Sequence, residues 1–126
     1  MFRSSFLTNL DYRYCRLLAV AWMAFIFYMS SQPSIPVPQA IWGQDKFMHF
    51  VSYGILGFLL AKSLKESVDG LTWKQIAWVA VAAALYGLSD EFHQMFVPGR
   101  DASVGDLVAD ALGGLAGAML LRRREV

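Results

Sequence analysis

The sequence predicts an all-α protein, a four-helix transmembrane bundle with its N- and C-termini cytoplasmic. Three observations lead there. Of 126 residues, 56% are hydrophobic and 17% charged. Counted with Gly and without Tyr, the apolar share is roughly 60%, against about 45–50% in a soluble globular domain, and the mean hydropathy of +0.41 agrees. A chain this short has too little interior to hide so much apolar surface from water. Second, the charges are clustered, leaving four apolar segments between them. Third, Lys and Arg are divided unevenly among the connecting regions, which is the bias that orients membrane helices. Intrinsic disorder is excluded, and 11 basic against 10 acidic residues give no basic face for nucleic acid.

The four segments follow in order within a single domain, residues 1–126. After a flank at 1–16, residues 17–44 contain no charge and 17–29 are continuously apolar or aromatic. Stretches 47–61 and 75–89 carry no Asp, Glu, Lys or Arg, and 107–121 is interrupted only by Asp110. Fifteen residues rise about 22 Å, short of the ~30 Å hydrocarbon core. Helices at about 17–31, 47–64, 73–93 and 104–121 therefore carry polar residues at membrane depth or rely on snorkelling and thinning. A tail at 122–126 follows. Arg3, Arg13, Arg16, Lys62, Lys65, Lys74 and Arg122–Arg124 fall on one side of such a bundle, and only Lys46 and Arg100 on the other. The first side is the cytoplasm. A cleaved signal peptide is the competing reading of residues 1–31, but bulky Tyr28 and Met29 stand where small residues are needed. Cys15, the one cysteine, has no disulfide partner within the chain. The prolines at 33, 36 and 38 extend the first outer loop, where Ile41 and Trp42 suit an interface.

Beyond the cytoplasmic flanks the ionisable residues are few: Asp45, Lys46, His49, Asp90, Glu91, His93, Arg100, Asp101, Asp106 and Asp110. All fall in outer loops or at the outer ends of segments two, three and four. Charges at membrane depth are expensive and face the bundle interior or water. Helical spacing aligns Asp45, His49 and Tyr53 on one face, and Tyr86, Asp90, His93 and Gln94 on another. Asp106, Asp110, Gly113 and Gly117 share a third face, and Gly113-x-x-x-Gly117 lets a neighbouring helix approach closely. The three stripes converge on one outward-facing polar pocket.

Four motifs then resemble the VanZ-like family. They are Asp45-Lys46-x-x-His49, Tyr86-Gly87-x-x-Asp90-Glu91-x-His93-Gln94-x-Phe96-Val97-Pro98-Gly99-Arg100, Ser103-x-x-Asp106 and Gly113-x-x-x-Gly117. The resemblance covers about residues 30–121. Where family members usually carry Asn on the last helix, this chain has Asp110. The resemblance implies a multi-pass protein of the bacterial plasma (inner) membrane, associated with lowered susceptibility to the glycopeptide teicoplanin, and supplies no biochemical activity.

The residues themselves admit several chemistries. The polar cluster is a scaffold network if Arg100 pairs with Asp90 or Asp106 and Asp45 holds His49. It is a binding site for a membrane lipid or lipid-linked cell-wall precursor if Lys46 and Arg100 hold a phosphate. Trp42, Tyr53, Phe92 and Phe96 then contact the lipid chain. Ligand-binding candidates are Asp45, Lys46, His49, Tyr86, Asp90, Glu91, His93, Gln94, Arg100, Asp106 and Asp110. Six acids against two bases disfavour a bare anion site, and a divalent cation bridging carboxylates and phosphate relieves the conflict. The alternative is a membrane enzyme, a hydrolase or transferase on a lipid-linked phosphate or peptidoglycan precursor, with Asp90, Glu91, His49 and His93 as acid–base groups. His49, His93 and Asp90 are candidate ligands for zinc or manganese, although no Cys pair or His-x-x-x-His fixes a metal spacing. Proton-coupled transport needs a homo-oligomer, because four helices alone enclose no conduit.

The orientation predicts that a membrane-impermeant thiol reagent labels Ser34→Cys and Ala102→Cys in intact cells and leaves Ser67→Cys unlabelled. The opposite pattern inverts the topology.

Overall fold

The computed structural model describes residues 11–32, 44–98 and 103–123, with the backbone alone at 44 and 45. Within them lie four α-helices: α1 Tyr12–Ser30, α2 Gln44–Lys62, α3 Trp73–Gln94 and α4 Val104–Met119. A single 3₁₀ turn, Lys65–Val68, follows α2. The protein is all-α among the described residues.

Local chemistry sets the helix starts. Asp11 caps α1 by accepting from the Arg13 N–H at 2.8 Å, and this bond holds the Asp11 carboxyl below the usual carboxylate range. Thr72 and Gln75 form a reciprocal capping box at the start of α3. Ser103 caps α4 by accepting from the Asp106 N–H at 3.0 Å. The motif Ser103-x-x-Asp106 is thus first of all a helix start.

Packing is dominated by glycine. A Cβ at Gly57 would overlap the Gly114 backbone, one at Gly113 the Phe50 carbonyl, and one at Gly117 the Gly54 carbonyl. The backbones of α2 and α4 therefore touch directly, which only residues without side chains permit. On its other side α4 meets α3, where a Cβ at Gly114 would lie 2.6 Å from that of Ala83. Helix α1 packs along α2, with Trp22 Nε1 donating to the Ser52 carbonyl at 2.9 Å. Tyr86 of α3 donates to the Met23 carbonyl at 2.5 Å.

The two ends of the bundle differ in chemistry. At one end Arg16 Nε donates to the Ser63 carbonyl at 3.1 Å. There the chain after α4 pairs with the α2–α3 connection: Leu71 N donates to Leu121 O, and Arg123 N to Leu71 O, both at 2.7 Å. Gly70 makes that turn at φ +91°, where a Cβ would strike the Arg123 backbone. Arg122 lies 4.5 Å over the Trp73 ring. An apolar cluster of Ala61, Leu71, Ile76, Val79, Ala118 and Leu121 seals this end. Asp90, Glu91, Asp106, Asp110 and both histidines gather at the other.

Among the described residues no helix is long and apolar enough to cross a membrane. The reason is visible in each. Arg13 and Arg16 lie inside α1, Lys46 and His49 inside α2, and Asp90, Glu91 and His93 inside α3. Helix α4 has 16 residues, with Asp106 and Asp110 among them. The connecting turn also changes the labelling probe: Ser67 is buried and donates to the Lys62 carbonyl at 3.0 Å. Exposed Asp69 is the better inner position for the thiol test.

The glycine seam makes a contrasting pair of variants. Gly117→Ala should lower stability by about 1–3 kcal/mol, as overpacking against rigid backbone does. Gly54→Ala, whose Cβ would meet only the Gly113 carbonyl at 3.6 Å, should be neutral or gain up to about 1 kcal/mol from helix propensity. Thermal unfolding in detergent compares the two.

Candidate functional site

The polar residues form two adjoining clusters. The first lies between α2, α3 and α4. His49 Nδ1 donates to Asp110 Oδ1 at 2.8 Å, and its Nε2 lies 3.8 Å from Asp106 Oδ2. Lys46 Nζ is 3.7 Å from Asp106 Oδ1, its stem lying over Gly105. Glu91 Oε2 accepts from the Ser103 N–H at 3.0 Å and so ties the end of α3 to the start of α4. Asp110 sits against the bare Cα of Gly87, where a Cβ would come within 2.7 Å of Oδ2. Gly87 is therefore the space that admits this carboxylate.

The second cluster lies between α1, α2 and α3. Ser30 Oγ donates to Asp90 Oδ1, and Tyr53 OH reaches Asp90 Oδ2 at 3.5 Å. Asp90 is only 3% exposed. His93 lies beyond it, with its Nε2 at 3.0 Å from Ser31 Oγ and its ring stacked 4.5 Å from that of Phe27. Gln94 is buried beside it. Tyr86 directs its hydroxyl to α1, away from both carboxylate groups.

The sequence candidates thus divide. His49, Glu91, Asp106 and Asp110 come together. Asp90 and Tyr53 join Ser30, and His93 faces α1 instead of His49. Arg100, Asp101 and Trp42 lie outside the described residues, as do the side chain of Asp45 and the proline loop. The His49 partner is Asp110, 61 positions away. The first helix supplies two site residues, Ser30 and Ser31, that helical spacing did not single out. The only sequence signal for them was a pair of hydroxyls closing an otherwise apolar segment. Phe92 and Phe96 stack edge to face at 5.3 Å and are largely exposed.

The two clusters also differ in how well they are satisfied. Both Asp90 oxygens have donors. Glu91 Oε1, Asp106 Oδ1 and Asp110 Oδ2 are buried without a hydrogen-bond partner among the described residues. Buried polar atoms are almost always paired, so three exceptions in one place are informative.

A cavity of about 340 Å³ opens between α1, α2 and α3. Its lining joins apolar Phe25, Ile26, Met29 and Met48 to polar Ser30, His49, Ser52, Tyr53, Asp90 and Gln94. His49 links the two parts, since it lines the cavity and bonds to the carboxylates behind it.

The VanZ/LLP1 family model matches residues 16–124, most of the chain. No curated protein and no solved structure matches.

The pairing at Asp90 has a measurable consequence. Ser30→Ala should cost about 1.5–3 kcal/mol, the range for a hydrogen bond to a charged group, because it strips a donor from a buried carboxylate. In an Asp90→Asn background the same change should cost less than about 1 kcal/mol. Equal losses in both backgrounds, read from unfolding curves, would show that Ser30 and Asp90 act independently.

Proposed function

Because the chain belongs to the VanZ/LLP1 family, we propose that it is a multi-pass protein of the bacterial plasma membrane. In this reading its outward-facing pocket recognises or shields a lipid-linked cell-wall component and lowers glycopeptide susceptibility. The single observation that carries the proposal is the cavity between α1, α2 and α3, whose lining joins apolar side chains to hydrogen-bonding ones. That division suits an amphiphile: an acyl or isoprenoid chain against Phe25, Met29 and Met48, and a polar head toward Ser52, His49 and Asp90. Its volume of about 340 Å³ is at the lower end of the range for small-molecule sites, about 300–1,000 Å³. It therefore suits a headgroup and its first few chain carbons, with the rest of the chain lying outside.

Membrane insertion is part of the same proposal, and the outer surface supports it. Leu17, Val20, Trp78, Leu85, Val104, Leu112 and Leu120 are each more than half exposed. Soluble monomers rarely leave apolar patches larger than a few hundred Å² in contact with water. Helices of 16 to 22 residues rise about 24–33 Å. This length reaches across a locally thinned bilayer, provided that the exposed Arg13 and Arg16 snorkel at one end. The carboxylates at the other end are turned into the bundle, where intramembrane charges belong.

Binding to lipid probes tests the reading. The purified protein in nanodiscs should prefer a polyprenyl phosphate or a polyprenyl-linked saccharide to phosphatidylglycerol, as measured by native mass spectrometry. Met29→Trp, which fills the cavity, should lower that preference at least tenfold and restore glycopeptide susceptibility in cells. Equal retention of all three lipids by the wild type would sink the proposal.

A further inference from the structure

Of the three buried carboxylate oxygens without a hydrogen bond, Asp106 Oδ1 has the Lys46 ammonium beside it, whereas those of Glu91 and Asp110 have no hydrogen-bond partner among the described residues. Glu91 already satisfies the Ser103 N–H with Oε2, and Asp110 already holds His49 with Oδ1. Their second oxygens, Glu91 Oε1 and Asp110 Oδ2, lack hydrogen-bond partners although Glu91 is only 6% exposed and Asp110 has no exposed surface. A bare carboxylate oxygen in such a place costs free energy unless it is paired or coordinates a metal. Lys46 is close to one member of the group, Asp106, with Nζ 3.7 Å from Oδ1.

We propose that His49, Glu91 and Asp110 bind one divalent metal ion of the zinc–manganese class, a site built across α2, α3 and α4. One ligand atom from each residue lies within 4.8 Å of the others. In a tetrahedral set with bonds of about 2.0–2.2 Å, two ligand atoms of one ion stand about 3.3–3.6 Å apart, so the widest of these separations must shorten by about an ångström when the ion enters. One imidazole with two carboxylates is a mixed nitrogen–oxygen set that suits zinc or manganese better than magnesium or copper. Three protein ligands leave further positions open, as sites that also hold a substrate group or water do.

The surroundings fit that assignment. The Nε2 of His49 faces Asp106 Oδ2 at 3.8 Å, and metal-bound imidazoles commonly have a carboxylate on their second nitrogen. Gly87 leaves room for Asp110 Oδ2, one helical turn before Glu91 on the same helix. His49 lines the cavity between α1, α2 and α3, and Glu91 lines a second one between α3 and α4, which give the ion routes to the cluster. Uptake displaces the proton shared by His49 Nδ1 and Asp110 Oδ1, so binding releases protons to the medium. The ion goes beyond the lipid-head reading and does not depend on it.

Zinc chloride and manganese chloride are the probes, added to the full chain in detergent after chelator treatment and tag removal. Equilibrium dialysis with elemental analysis should find one ion per chain, and the melting temperature should rise on addition. Glu91→Gln and Asp110→Asn should each weaken binding at least tenfold, while Glu66→Gln at the far end of the bundle should not. Circular dichroism checks that each variant is folded. The Mn²⁺ resonance spectrum of the wild type should show nitrogen coordination that is lost in His49→Gln, a readout independent of the carboxylate variants. Substoichiometric metal on the wild type, or equal binding by folded Glu91→Gln and Asp110→Asn, overturns the site. Lipid preference is measured separately in excess chelator. Its survival without metal binding would refute the metal alone, and metal binding without lipid preference would refute the lipid reading alone.

Discussion

The direct contact between the backbones of α2 and α4 is the constraint on which the rest of the structure depends. Gly57 against Gly114, and Gly117 against the Gly54 carbonyl, bring the two helices closer than any side chain allows. In the proposed membrane setting, where no hydrophobic drive acts between helices, such close van der Waals packing is a principal source of association. The approach has a chemical result. One turn outward from the seam, His49 and Asp110 project into the same narrow space, and their 2.8 Å bond follows from it. The seam also sets α4 as a wedge between α2 and α3, so that Gly87 must be bare to admit Asp110.

Satisfaction of hydrogen bonds separates scaffold from site. Asp90 is buried, yet Ser30 and Tyr53 supply donors to both of its oxygens. It joins three helices and also lines the cavity. Glu91 and Asp110 each keep one oxygen with no hydrogen-bond partner among the described residues, and Asp106 Oδ1 meets Lys46 Nζ only as an ion pair at 3.7 Å. A network selected only to hold helices together has no reason to retain such atoms, since half-satisfied buried carboxylates destabilise more than an apolar core does. A scaffold network therefore accounts for the α1 side of the polar end and fails on the α4 side.

Much of this arrangement was legible in the sequence, and the limits have physical causes. Charge-free windows marked all four helices because desolvated charge is costly within a packed bundle. Spacing placed Asp106, Asp110, Gly113 and Gly117 on one face, and that face is buried. Spacing says nothing of partners on other helices, however. Spacing puts Asp45 one turn before His49, and its side chain lies outside the described residues; the partner they show for His49 is Asp110 on α4. His93, three residues from Asp90 and so rotated about 60° from it, turns toward Phe27 and Ser31. Glu91, rotated about 100° the other way, turns toward α4. Gly54, Gly57 and Gly87 carry no periodic apolar signal, and their role appears only when an opposing backbone is seen.

Asp110 is where these strands meet. The resemblance to VanZ-like proteins implies Asn at this position, and the two side chains have nearly the same shape. Asn could still accept from His49 through its carbonyl oxygen, so the seam and the imidazole contact do not require the acid. An amide would also bring two donors into a region already crowded with acceptors, Glu91 Oε1 and Asp106 Oδ1 among them, and so would relieve it. The acid does the reverse: it adds a third oxygen without a hydrogen-bond partner among the described residues and a further formal negative charge. For helix packing alone, Asp is the poorer choice of the two. A divalent cation reverses that preference, because it binds a carboxylate far better than an amide. The metal assignment therefore attaches to this chain's own aspartate and does not extend to relatives that carry Asn there.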